Sequence, residues 1–274
     1  MSLSLLFLWV FCCYVYAAKF AKVSLKTESG ELYKSKRAGW FYMETIKCSE
    51  NMQDCYVVCE SYRSCISNII CNNNQQCSIK CDARESCIDQ TTITSENNKV
   101  LRMHCNGDNS CSNGLKIEIS NITDIVNIEC NGIESCSNID LFEIKAILYT
   151  SKKDIIIECN GKNSCFNITY NLAKILNSNE LQLKIVCNGD GSCIDNNINV
   201  LFTNKLQFIC KDNCYNVKIN RNYNKYDNNF ILDVQCDLDT DIYCFQIDID
   251  EFEANDRCYG RIRYNHKNNL YSLC

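Results

Sequence analysis

The chain has 274 residues, a net charge of −5, 24 cysteines and no proline. Acidic and basic residues are interspersed without a basic run, which argues against a nucleic-acid partner; the charge otherwise speaks only to solubility. A chain this long buries roughly 75% of its unfolded surface and can fold without staples, yet cysteine makes up about 9% of it, the range of a disulfide scaffold.

The first stretch, MSLSLLFLWVFCCYVYA, carries no charged side chain. Its apolar run from Leu3 to Tyr16 ends at Ala17 and Ala18, with Val15 and Ala17 at the small-residue positions before a cleavage site. The run is short for a membrane span. Residues 1–17 therefore read as a signal peptide; an uncleaved anchor is the alternative, since no Lys or Arg precedes the run. No later segment is long and apolar enough to span a membrane, and the C-terminus carries no lipid-anchor signal. Cleavage removes Cys12 and Cys13 and leaves an even number of cysteines, which can all pair in an oxidising compartment. The expected location is secreted or at the cell surface.

Residues 18–47 lack cysteine and hold one alternating stretch, KFAKVSLKT, expected to form an N-terminal cap. From residue 48 to 249 the chain is a tandem array. The phrase CNGDNSC begins at Cys105, and CNGIESC, CNGKNSC and CNGDGSC come after it at Cys130, Cys159 and Cys187. Its second cysteine recurs at Cys65, Cys87, Cys111, Cys136, Cys165 and Cys193, with weaker continuations at Cys214 and Cys244, a period of about 25 residues. Before each first cysteine, apolar residues stand at two and four places upstream: Leu101 and Met103, Val126 and Ile128, Ile155 and Ile157, Leu183 and Ile185, Leu206 and Phe208, Leu232 and Val234. Period two marks a half-buried strand. A second alternating run comes after the phrase: Ile139 and Leu141; Phe166, Ile168, Tyr170 and Leu172; Val217 and Ile219; Phe245, Ile247 and Ile249. These sit at odd offsets from the cysteine, whereas the unit at Cys111 slips by one to Ile117 and Ile119. Asn-Gly at 106–107, 131–132, 160–161 and 188–189 tolerates the positive φ of tight turns. Residues 250–274, with Cys258 and Cys274, form a second cap.

Each unit thus reads strand, cysteine-bounded turn, strand, variable loop. The pattern predicts an all-β fold: a parallel β-helix (β-solenoid) of about 25-residue coils, with an array of disulfide-closed hairpins as the alternative. Stacked coils place like residues about 4.7–4.9 Å apart, within disulfide reach, so bridges can close each phrase or join coils. Local pairing favours closure within the phrase: 59–65, 81–87, 105–111, 130–136, 159–165 and 187–193 share one spacing, 71–77 shares it out of phase, and 210–214 is shorter. Cys236 with Cys244, and Cys258 with Cys274, complete the disulfide candidates.

The C-x-G-x-x-S-C phrase between β-rich runs resembles uncharacterised cysteine-rich repeat proteins of protists, over residues 59–249 and most clearly at the four full phrases. The phrases at 59 and 81 lack the glycine, and those at 210 and 236 differ in length. The resemblance implies a secreted or surface protein with a pectin-lyase-like, right-handed parallel β-helix, and implies no catalytic residues.

No catalytic or metal constellation emerges, and no cofactor is expected. Cys55–Cys59, Cys77–Cys81 and Cys210–Cys214 have spacings that zinc sites use, but oxidation competes for them. Asp237, Asp239 and Asp241 mimic the start of a calcium loop, with Ile242 where its glycine belongs. His104 occupies an outward repeat position matched by Glu129 and Glu158. One polar column persists two residues after the second cysteine: Asp89, Asn113, Asn138, Asn167, Asp195 and Asn216. Stacking makes it a hydrogen-bonded ladder or a strip that recognises a repetitive extracellular ligand such as a glycan. Asn121 and Asn167 open glycosylation sequons. The expected function is non-catalytic, structural or adhesive; the alternative is a carbohydrate-active β-helix enzyme with clustered carboxylates.

Overall fold

The computed structural model describes residues 45–221 apart from 49–52, 73, 75, 90, 97, 121–123, 140, 146–152, 173–180, 201–204 and 212–213. It also describes 23–26, 32–35, 231–236, 247–250, 263–266 and 269–272. Residues 1–17, read above as a signal peptide, and Asn121, Asp237, Asp239, Asp241, Cys244, Cys258 and Cys274 lie outside the described residues.

The alternating runs form two families of strands. Strands ending at the first cysteine of each phrase are β4 (Asp54–Cys59), β6 (Gln76–Cys81), β8 (Val100–Cys105), β10 (Ile125–Cys130), β12 (Lys153–Cys159), β14 (Leu181–Cys187), β16 (Lys205–Cys210) and β18 (Ile231–Cys236). They pair in parallel, each with the corresponding strand of the next coil. Strands after the phrase are β3 (Ile46–Lys47), β5 (Ile69–Asn72), β7 (Thr92–Glu96), β9 (Lys116–Ser120), β11 (Leu141–Lys145), β13 (Thr169–Leu172), β15 (Asn197–Val200), β17 (Val217–Arg221) and β19 (Ile247–Asp250), and they form a second parallel sheet. From β3 to β19, strands adjacent in sequence never pair with each other. The chain is a parallel β-solenoid, and the hairpin array is overturned.

The period-two pattern places the core between the sheets. Leu101, Met103, Val126, Ile128, Ile155, Ile157, Leu183 and Ile185 are all buried, as are Ile93, Ile117 and Ile198 from the second sheet. Each such side chain contributes about 1.5–3 kcal/mol when fully buried. A parallel crossover is costly to nucleate, but each added coil buries a new apolar layer against the last. β1 (Val23–Lys26), within the sequence's alternating N-terminal stretch, pairs antiparallel with β4 (Val23 opposite Cys59) and with β2 (Leu32–Ser35). It covers the edge that the first coil would otherwise expose. β20 (Arg263–His266) and β21 (Asn269–Ser272) make an antiparallel hairpin beside β18.

Two readings of the second run are corrected. Leu141 stands opposite Lys116, while Phe142 and Ile144 stand opposite the buried Ile117 and Ile119. The slip assigned to the unit at Cys111 therefore extends to those at Cys87 and Cys136: Ile93 and Phe142, like Ile117, lie six residues past their cysteines. In the next two coils Tyr170 and Ile198 fill the same column five residues past theirs. The turn absorbs the extra residue before the strand begins, so strand phase is kept and cysteine phase is not. Phe166, read as inward, is only half-buried and belongs to the turn.

Candidate functional site

The cysteine turns stack into one edge of the solenoid. Cys59–Cys65, Cys81–Cys87, Cys105–Cys111, Cys130–Cys136, Cys159–Cys165, Cys187–Cys193 and Cys210–Cys214 are bridged, each within its own turn. Their Cα separations of 5.8–6.1 Å are ordinary for disulfides. The spacings shared with zinc sites belong to sulfurs already committed to bridges. Cys71–Cys77 is out of phase because it closes the opposite edge, between β5 and β6. Cys48–Cys55 does the same one coil earlier. That pair was not among the sequence candidates, yet Cys55 and Cys77 stand in the upstream slots that Leu101 and Val126 fill in later coils.

The backbone of the turn alternates. The residue two before the second cysteine, the cysteine itself and the residue two after it have positive φ: Asn109 (53°), Cys111 (54°) and Asn113 (50°) in one coil, Glu134 (54°), Cys136 (53°) and Asn138 (50°) in the next. Left-handed conformations at non-glycine residues cost about 1–3 kcal/mol each. Here they swing successive N–H groups to opposite sides. Cys111 donates back to Ser86 O at 2.9 Å, while Asn109 and Asn113 donate forward to Ile133 O at 2.8 Å and Ser137 O at 3.0 Å. The turn thereby stays bonded to both neighbouring coils, as a strand would.

The Asn-Gly pair works differently from its sequence reading. Gly107, Gly132, Gly161 and Gly189 are not among the positive-φ residues. Instead, Asn131 N–H and Gly132 N–H both donate to Cys105 O, at 2.9 and 3.1 Å. This draws the coils so close that a Cβ on Gly132 would overlap the carbonyl of Gly107 and lie 2.9 Å from Asn106 O; Gly161 and Gly189 meet the preceding coil likewise. The glycine is a contact residue. The serine before each second cysteine is buried at Ser86, Ser110, Ser135, Ser164 and Ser192. Its N–H closes the turn on the carbonyl three residues back, and Ser86 and Ser135 donate their hydroxyls to the same carbonyls, Ala83 O at 2.7 Å and Gly132 O at 2.8 Å.

Outside this frame, among the described residues, run three columns built mainly on asparagine amides. Among the predicted positions, Asn167 donates to Asn138 at 2.9 Å, Asn138 to Asn113 at 3.4 Å, and Asn216 to Asp195. Asp89 meets Asn113 through the backbone, N–H to O at 3.0 Å. Asp195, having no donor, cannot continue the series from Asn167. A longer column uses the asparagines of the phrase itself: Asn188 donates to Asn160 (2.6 Å), Asn160 to Asn131 (2.8 Å), Asn131 to Asn106 (2.8 Å) and Asn106 to Asp82 (2.7 Å). The repeated "CN" was its signal in the sequence, masked by the sufficiency of Asn-Gly as turn chemistry. The third column lies on the second sheet, Asn220 to Asn199 at 2.9 Å and Asn199 to Asn171 at 2.8 Å.

The electrostatics are mild. At the first turns Tyr62 Oη and Arg63 Nε donate to Glu85 Oε2 at 2.8 and 2.9 Å, with the Arg63 guanidinium 5.4 Å from the Tyr62 ring centre. The Arg63 hydrogen bond, then that of Tyr62, holds the Glu85 carboxyl below its usual range, and the same bond with Glu85 raises the Arg63 guanidinium. Burial pushes the Tyr170 phenol upward. On the outer face of the first sheet His104 Nδ1 lies 3.1 Å from Glu129 Oε2, and Glu158 is the next member of that column. Among the described residues no helix is long and apolar enough to cross a membrane.

No family model, no curated protein and no solved structure matches the chain. The fold and bridges define it as a disulfide-rich, cysteine-repeat β-solenoid, the kind of structure that suits an extracellular structural protein.

Proposed function

We propose that the chain is a secreted or cell-surface structural and adhesion protein, without catalysis, whose turn edge engages a repetitive glycan. The column from Asp82 to Asn188 carries this reading. Each bonded asparagine amide keeps a second N–H for an outside partner, repeated once per coil. Amides at a fixed spacing suit the hydroxyls of a polymer better than those of a single small molecule. Buried bridges in the turns from Cys59–Cys65 to Cys210–Cys214 supply the resistance an extracellular surface demands. The resemblance to cysteine-rich repeat proteins of protists points the same way. Asn167 is exposed, and an N-linked glycan there leaves its amide one hydrogen for Asn138. A glycan array probed with the purified protein tests the ligand: retention on polymeric glycans, weakened by Asn131→Ala, is expected, and failure to bind any glycan overturns recognition.

The enzymatic alternative has one observation in its favour. Glu129 and Glu158 are register partners on β10 and β12, with His104 beside Glu129. Release of reducing ends from a polysaccharide, abolished by Glu129→Gln, would establish it.

A further inference from the structure

The bridges do more than close their own turns. Cys59, Cys81, Cys105, Cys130, Cys159 and Cys187 are register partners on successive strands, so the disulfides lie one above another. Sγ of Cys59 is 3.5 Å from Sγ of Cys87, in the bridge of the next coil. The sulfurs of Cys59, Cys81 and Cys87 all lie within 4.8 Å of one another, as do those of Cys105, Cys130 and Cys136. At the opposite edge Cys48, Cys55 and Cys71 form a third such group, with Cys48 Sγ and Cys71 Sγ 4.0 Å apart. All nine residues are buried.

We propose that these three-sulfur groups are thiol–disulfide relays, which pass a broken bridge from one coil to the next. A thiolate attacks a disulfide sulfur and expels the other sulfur through a new bond. An external dithiol that reduces Cys59–Cys65 supplies two electrons and is itself oxidised, leaving thiols at Cys59 and Cys65. Ionised Cys59 then attacks Sγ of Cys87. The Cys59–Cys87 bond forms, the Cys81–Cys87 bond breaks, and Cys81 leaves as a thiolate that takes up the proton Cys59 released. This second step needs no oxidant, because one disulfide and one thiol stand on each side. The external dithiol enters at Cys65, which is 4% exposed and outside the group, whereas Cys59, Cys81 and Cys87 are fully buried with the neighbouring sulfur held in contact, so the second encounter is intramolecular. The product joins two coils covalently where each bridge had clasped one turn.

The test is disulfide mapping of the whole chain, with acid quench and alkylation, in three single variants. Cys65→Ser leaves Cys59 unpaired beside Cys81–Cys87, and Cys111→Ser leaves Cys105 unpaired beside Cys130–Cys136. Cys165→Ser leaves Cys159 unpaired, and Cys159 belongs to none of the three groups among the described residues. Expected in the first variant are a Cys59–Cys87 peptide and alkylated Cys81 in equal amounts. In the second, Cys105 is found bridged to Cys130 or Cys136, and in the third the unpaired thiol stays on Cys159. Alkylation of Cys59 alone with Cys81–Cys87 intact overturns the relay. So does equal scrambling in all three, which would mark unfolding in place of geometry. Should the variants fail to fold, the wild-type chain treated with less than one equivalent of dithiothreitol serves: a Cys59–Cys87 peptide supports the relay, and its absence among partly reduced molecules refutes it.

Discussion

Asn131 donates from Nδ2 to Oδ1 of Asn106 at 2.8 Å, and its own Oδ1 accepts from Asn160 at 2.8 Å. Every bond in this column points toward the N-terminal coil and ends on the carboxylate of Asp82, an acceptor only. The amide dipoles are therefore aligned along the solenoid axis, with their positive ends toward a negative charge, the arrangement that stabilises an acidic residue at a helix N-terminus.

Asn131→Ala removes two of these bonds at once and should cost about 1–2 kcal/mol, taking about 0.5–1.5 kcal/mol per bond and partial exposure. Asp82→Asn keeps an acceptor at the end of the column and should change stability by less than about 0.5 kcal/mol. Urea unfolding followed by circular dichroism measures both. Equal midpoints for the two variants would mean the column contributes nothing.

Gly132→Ala should be worse than any loss from the column, about 3 kcal/mol or more, because the added Cβ meets backbone that cannot step aside. Gly191 is the contrast. It has φ of +66°, its position is taken by Asn109 and Asn163 in other coils, and the atom a Cβ would crowd is the side-chain oxygen of Asn163. Gly191→Asn should therefore stay within about 1 kcal/mol of wild type, and a ranking of the two melting temperatures decides the matter.

Asn138 serves the backbone and the column together, with φ of 50° and a donor link to Asn113. Asn138→Gly removes the side chain but accepts the conformation. Asn138→Val removes it and adds left-handed strain at a β-branched residue, about 1–2 kcal/mol. The valine variant should be the less stable by that margin; indistinguishable unfolding midpoints would deny that the left-handed conformation is obligatory.

Removing one central bridge, as in the double variant Cys130→Ala with Cys136→Ala, frees a short closed loop. Chain entropy for a loop of about seven residues gives a loss of about 2–2.5 kcal/mol, and the buried sulfur volume adds to it. The double variant compared with wild type under non-reducing conditions reports this. No loss of stability would show the stacked backbone to be sufficient without its clasp.

The alternation of Leu101 with Met103 and of Val126 with Ile128 is a local property, and it was enough to read the strands, their inward faces and the coil period. What lay beyond reach depends on distance between coils. The role of Gly132 exists only once Gly107 is packed beneath it, and no periodicity along one strand encodes that approach. Leu141 and Phe142 are both apolar, so only pairing with Lys116 and Ile117 decides which of them takes the register position opposite the buried Ile117. Cys48–Cys55 was partly legible, since Cys55 occupies an inward slot, but its partner Cys48 precedes the first cysteine phrase, which begins at Cys59. The column through Asn131 was visible as repetition, and remained hidden as function because the turn alone gave those asparagines a reason to be there.

Glu85 makes a pH-dependent contribution to stability at the turn edge. Its carboxylate accepts from Arg63 and Tyr62, and these bonds lower its pKa in the folded chain. A depressed carboxyl contributes stability that is present above its unfolded pKa, about 4.3, and lost as pH falls through the lower folded value. The guanidinium stays charged throughout, so Glu85 alone sets the window. The pair lies near the surface, with the Arg63 side chain 42% and that of Glu85 19% exposed, and solvent screening limits the contribution to a fraction of a kcal/mol, at most about 1 kcal/mol. Wild type should therefore lose slightly more stability than Glu85→Gln between pH 6 and pH 3, and the gap should narrow in high salt. Parallel acid titrations of urea midpoints measure it, and identical pH profiles for the two proteins would remove Glu85 from the account of acid stability.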